Sequence, residues 1–151
     1  MNAPPFVILY VEDNDFVRES CAELLAAAGR RIVGVADGAS ARNALREQKV
    51  DLLMTDISLP DGSGLDIARE ALRQNPNLPV IVCSGYDLES ATRSLGPNAH
   101  ALKKPFDFDE LEALVENLAR YGRWVPRSPG MGWGGEAGLV VGERNACKVN
   151  A

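Results

Sequence analysis

Phe6-Val7-Ile8-Leu9-Tyr10-Val11-Glu12-Asp13-Asn14-Asp15 decides the fold, because an unbroken apolar run passes directly into a run of acids and an amide. A strand with one wet face alternates apolar and polar residues, whereas a strand buried on both faces does not. The stretch therefore reads as an inner strand of a parallel sheet, covered on both sides by helices, with an acidic cluster at its carboxyl end. Moving outward, further β-rich runs occur at Arg31 to Ala36, Leu52 to Thr55 and Val80 to Cys83. A weaker fifth at Ala99 to Lys103 has the look of an edge.

Helical stripes separate these runs. Val17, Cys21, Leu24, Leu25 and Ala28 mark a first helix closed by Gly29, with Asn14 or Asp15 as its N-cap. Ala41, Ala44 and Leu45 mark a second helix, and Leu65, Ala68 and Leu72 a third. A short fourth carries Leu88, Ala91 and Leu95, and a fifth carries Leu111, Leu114, Val115 and Leu118 behind a cap at Asp107 or Asp109. Regular βα alternation with right-handed crossovers gives a doubly wound α/β sheet, and in either common strand order its ligands sit outside the strand carboxyl ends.

The length of 151 residues fits one core. Residues 1–121 form the expected domain. Residues 122–151 hold Trp124, Trp133 and a Gly-rich composition without periodicity, and read as a C-terminal tail with no independent core. The net charge of −5 repels phosphate backbones and anionic headgroups, so neither direct nucleic-acid binding nor membrane association is expected. No apolar run reaches the roughly 18 residues that span a bilayer. The N-terminus lacks a basic region followed by a long apolar one, so a cytoplasmic location is expected. Cys21, Cys83 and Cys147 are far apart, show no CxxC pairing and read as reduced thiols.

Reactive side chains gather at the strand ends: Glu12 and Asp13 after the first, Asp56 after the third, Ser84 after the fourth, Lys104 after the fifth. If the strand order is 2-1-3-4-5, Asp13 and Asp56 enter one crevice. Carboxylates crowded there raise one another's pKa unless a cation intervenes, and oxygen donors suit a hard ion such as Mg²⁺. A carboxylate beside Mg²⁺, with an ammonium and a hydroxyl converging on it, has the parts needed to accept a phosphoryl group. A single Asp at a strand end is more often a cap or turn residue, so the functional reading rests on the whole constellation.

Val11-Glu12-Asp13-Asn14, Thr55-Asp56 with Leu59-Pro60 and Asp61-Gly62-Ser63-Gly64, Val82-Cys83-Ser84-Gly85 and Lys103-Lys104-Pro105-Phe106, taken in order, resemble the receiver domain of two-component response regulators. The resemblance covers residues 6 to 121 and implies a flavodoxin-like, five-stranded parallel sheet of order 2-1-3-4-5. It implies that Asp56 is the phosphoacceptor, served by a sensor histidine kinase or a histidine phosphotransfer protein. It further implies that Asp13, Asp56 and the backbone carbonyl of Ser58 hold Mg²⁺, with Glu12 acting through water. Lys104 would pair with the phosphoryl oxygens and Ser84 would supply the switching hydroxyl, while Lys103 is solvated. The family's Lys-Pro bond is typically cis, which makes Lys104-Pro105 a cis candidate. Output is expected through protein contacts on the face of helix 4, strand 5 and helix 5.

The chain departs from the family at Ala101, where a Tyr or Phe usually swings inward; His100 and Tyr86 are the nearby rings. Tyr86 falls where the family tunes water access to the phosphoryl group, and His100 reads as an edge-strand residue. A receiver-like adaptor acting without phosphorylation is the alternative that Ala101 favours. An aspartyl-phosphate phosphatase would need a DxDxT motif, and Asp56-Ile57-Ser58-Leu59-Pro60 lacks the second Asp, so turnover of external substrates is not expected. Nucleotide or flavin binding is set aside because Glu12 to Asp15 is acidic where a phosphate loop would lie.

Overall fold

The computed structural model describes residues 5–26, 29–85 and 89–121, without the side chains of Glu89, Ala91 and Tyr121. The expectations for Ala28, Tyr86, Leu88, Cys147 and the tail after Tyr121 lie outside the described residues.

Strands β1 (Phe6–Val11), β2 (Arg30–Val35) and β3 (Leu52–Asp56) alternate with α1 (Asp15–Leu25) and α2 (Gly38–Glu47). A two-residue hairpin, β4 (Ser58–Leu59) with β5 (Gly62–Ser63), leads into α3 (Gly64–Gln74). Then come β6 (Val80–Ser84), α4 (Glu89–Ser94), β7 (Ala99–Lys103) and α5 (Phe108–Tyr121). The main sheet has the order β2-β1-β3-β6-β7, and every pairing in it is parallel. With the hairpin counted apart, this is the expected 2-1-3-4-5 order, with β7 at an edge.

Alternate residues of each inner strand go to opposite faces, which is why β1, β3 and β6 are buried almost throughout. Ile8, Tyr10, Met54, Ile81 and Leu102 pack with Val17, Cys21 and Leu25 of α1 and Leu111, Val115 and Leu118 of α5. Leu9, Val11, Leu53 and Val82 pack on the other face with Ala41 and Ala44 of α2 and Ile67, Ala68 and Ala71 of α3. Burying each large apolar side chain contributes about 1.5–3 kcal/mol against its exposed state. Two such layers clamp the strands from both sides and fix the register that sets the site.

Local chemistry explains the boundaries. Asn14 is the α1 N-cap, its side chain accepting from the Val17 N–H at 3.0 Å. Asp107 precedes α5 and accepts from the Asp109 N–H at 2.7 Å. α1 ends at Leu25, before Gly29, which takes a φ of 83° and carries the chain into β2.

Two stripe expectations, at Leu24 and Leu95, are corrected, while the α3 stripe holds, with Ala68 in the second core and Leu65 and Leu72 packed against it. Leu24 is 50% exposed, because Val17, Cys21 and Leu25 at four-residue spacing fill the contact face and Leu24 lies beside it. In α3 the sheet is met by Gly64, Ile67, Ala68 and Ala71, since small residues allow close approach, and Leu65 and Leu72 flank them half-buried. Leu95 follows α4 rather than belonging to it and packs on the second core.

Candidate functional site

Each residue of the site is delivered by the end of a strand. β1 ends at Val11, which leaves Glu12 and Asp13 in the two positions before the α1 cap. β3 and β1 are direct neighbours, with Val11 paired to Thr55, so Asp56 emerges beside Glu12 and Asp13. One carboxylate oxygen from each of Glu12, Asp13 and Asp56 lies within 4.8 Å of the others. Asp13 is exposed and Glu12 is 2% exposed, so the cluster runs from the surface into the protein.

Lys104 reaches the cluster from the edge. Its backbone N–H donates to the Ser84 carbonyl at 2.7 Å, and the Lys104-Pro105 peptide is cis. Phe106, 1% exposed, anchors the chain just beyond. The ammonium then donates to Glu12 Oε1 at 3.0 Å and stands 3.4 Å from Asp56 Oδ2. Lys103 is exposed, as strand alternation requires. Ser84 closes β6 and is 2% exposed. Ser58 opens β4, two residues after Asp56, and is exposed.

Electrostatics follow from burial. Desolvation raises the Glu12 carboxyl above its ordinary value; the hydrogen bonds from the Asn14 N–H and Lys104 oppose it, and the charge of Asp56 adds to it. Burial alone would lower the Lys104 ammonium, yet the hydrogen bond to Glu12 and the charges of Glu12 and Asp56 outweigh it and hold the group above the usual lysine value. One ammonium therefore faces two carboxylates while Asp13 adds a third at the mouth. An all-oxygen donor set of this charge and spacing fits a small divalent cation such as Mg²⁺.

The expected set of Glu12, Asp13, Asp56 and Lys104 is thus brought together. His100 is half-buried on β7 in register with Ile81, and Ala101 is exposed beside it, in register with Val82. Three supporting residues escaped the sequence reading. Asp61 accepts from the Gly38 N–H at 2.8 Å and the Ala39 N–H at 3.0 Å, tying the hairpin to the start of α2. Thr55 donates its hydroxyl to the Asp56 carbonyl at 2.8 Å, and Gly64 lies against that same carbonyl. All three sit inside the quoted motif around Asp56, and that proximity was the available signal.

A family model for the response regulator receiver domain matches residues 8–116. The response regulator receiver protein CpdR of Brucella abortus is 32% identical over 117 residues, covering 74% of this chain and 94% of that protein. The response regulator protein PmrA of Pseudomonas aeruginosa is 39% identical over 125 residues, covering 80% of this chain and 56% of its own length. The chain spans about half the length of PmrA and 30% of the transcriptional regulator NtrC of Escherichia coli, which it also matches. Among solved structures, a response regulator receiver protein from Sinorhizobium medicae superimposes with a TM-score of 0.72 at 26% identity, covering 79% of this chain and 98% of that one. A CheY-like receiver domain protein from Methanospirillum hungatei does so with a TM-score of 0.68 at 25% identity, covering 78% and 96%.

Proposed function

Because this chain belongs to the response regulator receiver domain family, we propose that it is a phosphorylation-dependent signalling module of a two-component system, accepting a phosphoryl group on Asp56. The donor is a phosphohistidine on a sensor histidine kinase or a histidine phosphotransfer protein. The observation that supports this best is the Lys104 ammonium set between Glu12 and Asp56, in reach of a three-carboxylate cluster.

In the reaction an Asp56 carboxylate oxygen forms a bond to phosphorus while the phosphorus–nitrogen bond of the donor breaks. The electron pair goes to the imidazole and an acyl phosphate is left on Asp56. Lys104 offsets the charge of the phosphoryl oxygens. Asp13, Asp56 and the Ser58 carbonyl would hold Mg²⁺, with Glu12 behind them, and the ion when bound supplies further charge neutralisation. Ser84 closes the strand next to β3, a position that supports its reading as the switching hydroxyl.

Output follows by contact of the α4, β7 and α5 face with another protein, in the cytoplasm, without turnover of an external substrate. Exposed Ala101 on that face favours the second reading, a receiver-like adaptor that works unphosphorylated. Incubation with acetyl phosphate and Mg²⁺, read by intact mass, separates the two. Wild type gains one base-labile phosphoryl group and Asp56→Asn gains none under the first reading; neither gains one under the second.

A further inference from the structure

The peptide that joins Asp56 to Ile57 is held at both of its polar ends. Its N–H donates to the Cys83 carbonyl at 3.0 Å and to Asp56 Oδ1 at 2.9 Å. Its carbonyl, the Asp56 oxygen, accepts the Thr55 hydroxyl at 2.8 Å. Thr55 is fully buried, at 0% exposure, so this hydroxyl is shielded from water. The next peptide is fixed as well, since the Gly64 N–H donates to the Ile57 carbonyl at 2.8 Å.

Gly64 makes the arrangement possible. A β-carbon there would fall 2.0 Å from the Asp56 carbonyl oxygen and 2.7 Å from Thr55 Oγ1. Such distances are far inside van der Waals contact, and the nearest atom belongs to the backbone, which cannot swing aside as a side chain can. Only a residue without a side chain lets the first turn of α3 close over the pair.

This arrangement bears on the carboxylate itself. With the peptide plane fixed, the Ile57 N–H engages Oδ1, and Oδ2 is the oxygen turned toward Lys104 at 3.4 Å. Resting on the proposed phosphoacceptor role of Asp56, we infer that Thr55 is a positioning residue for phosphoryl transfer, its hydroxyl locking the Asp56–Ile57 peptide, with Gly64 as cover, so that Oδ2 meets the phosphorus. With acetyl phosphate as donor, Oδ2 forms the new bond to phosphorus, the bond from phosphorus to the acetate oxygen breaks, and acetate leaves with the electron pair. No proton has to move.

The test compares Thr55→Ser with Thr55→Ala, which share the loss of the methyl group and differ in the hydroxyl; Thr55→Val keeps the shape and removes only the hydroxyl. The full chain is treated with acetyl phosphate and saturating Mg²⁺, and the rate constant of Asp56 labelling is read by intact mass. The expectation is that Thr55→Ala and Thr55→Val label about ten-fold more slowly than wild type, while Thr55→Ser stays near it. Equal rates in all four proteins, or Thr55→Ser as slow as Thr55→Ala, would overturn the inference while leaving Asp56 as the acceptor. Wild type that takes up no phosphoryl group would overturn the inference together with the reading beneath it.

Discussion

Glu12 pairs with Lys104 through one carboxylate oxygen and with the Asn14 N–H through the other, and burial raises its pKa above the ordinary glutamate value of 4.5. The folded protein therefore binds a proton there more readily than the unfolded chain. The contribution of Glu12 to stability without metal is therefore fully present below the ordinary value and is lost as pH climbs through the raised one. A divalent cation acts in the opposite sense, because it favours the ionised form and competes with the proton. Mg²⁺ affinity measured by calorimetry should fall on acidification, with the fall setting in above the ordinary glutamate value. Glu12→Gln should flatten that segment of the profile; an unchanged profile in the variant would refute the assignment. The four charged groups were legible in the sequence because a strand end is a topological position, and neighbouring strands bring their ends together whatever the side-chain details. Thr55 was not, since its role depends on one rotamer and on a glycine nine residues later lying against the same carbonyl.

At the level of elements, β7 is the strand whose chemistry departs most from its neighbours. His100 is half-buried there, its Nε2 atom has no hydrogen-bond partner among the described residues, and burial lowers its pKa below the ordinary 6.5. Here the unfolded chain binds the proton more readily, so the His100 contribution to stability is fully present above the ordinary histidine value and is lost as pH drops through the lowered folded one. The urea midpoint should fall between neutral pH and pH values under 6.5. His100→Leu should remove that loss at little cost near neutrality, because the apolar substitute deletes the unpaired buried atom. A midpoint that falls equally in both proteins would place the acid sensitivity elsewhere. The same scale shows where periodicity misleads. Every strand of the main sheet could be located from its run of residues, though the β4–β5 hairpin could not, and Leu24 and Leu72 lie off the centre of their helices' buried faces, because helix–sheet contact is set by which residues are small enough to approach.

Across the molecule and away from the carboxylate site, Arg30 and Arg42 join segments that the chain itself keeps apart. Arg30, with a side chain only 6% exposed, forks onto Glu112 at 2.8 and 2.7 Å and also reaches Glu116 and the Leu25 carbonyl, linking β2, α1 and α5. Arg42 forks onto Glu70 at 2.8 and 2.9 Å, linking α2 and α3, with both partners about a third exposed. Arg30→Ala should cost about 1–3 kcal/mol in urea unfolding, and Arg42→Ala under about 1 kcal/mol, since solvent screens the second pair. Equal losses would mean that burial does not separate them. No local pattern announces such pairs, because partners 82 positions apart become neighbours only once the sheet has formed.

Asp61 is a bond of a different kind, since it takes two amide hydrogens from the opening turn of α2. Hairpin and helix are thereby yoked: the turn after Asp56 cannot shift without parting from the first turn of α2, on the flank of the sheet away from Ala101.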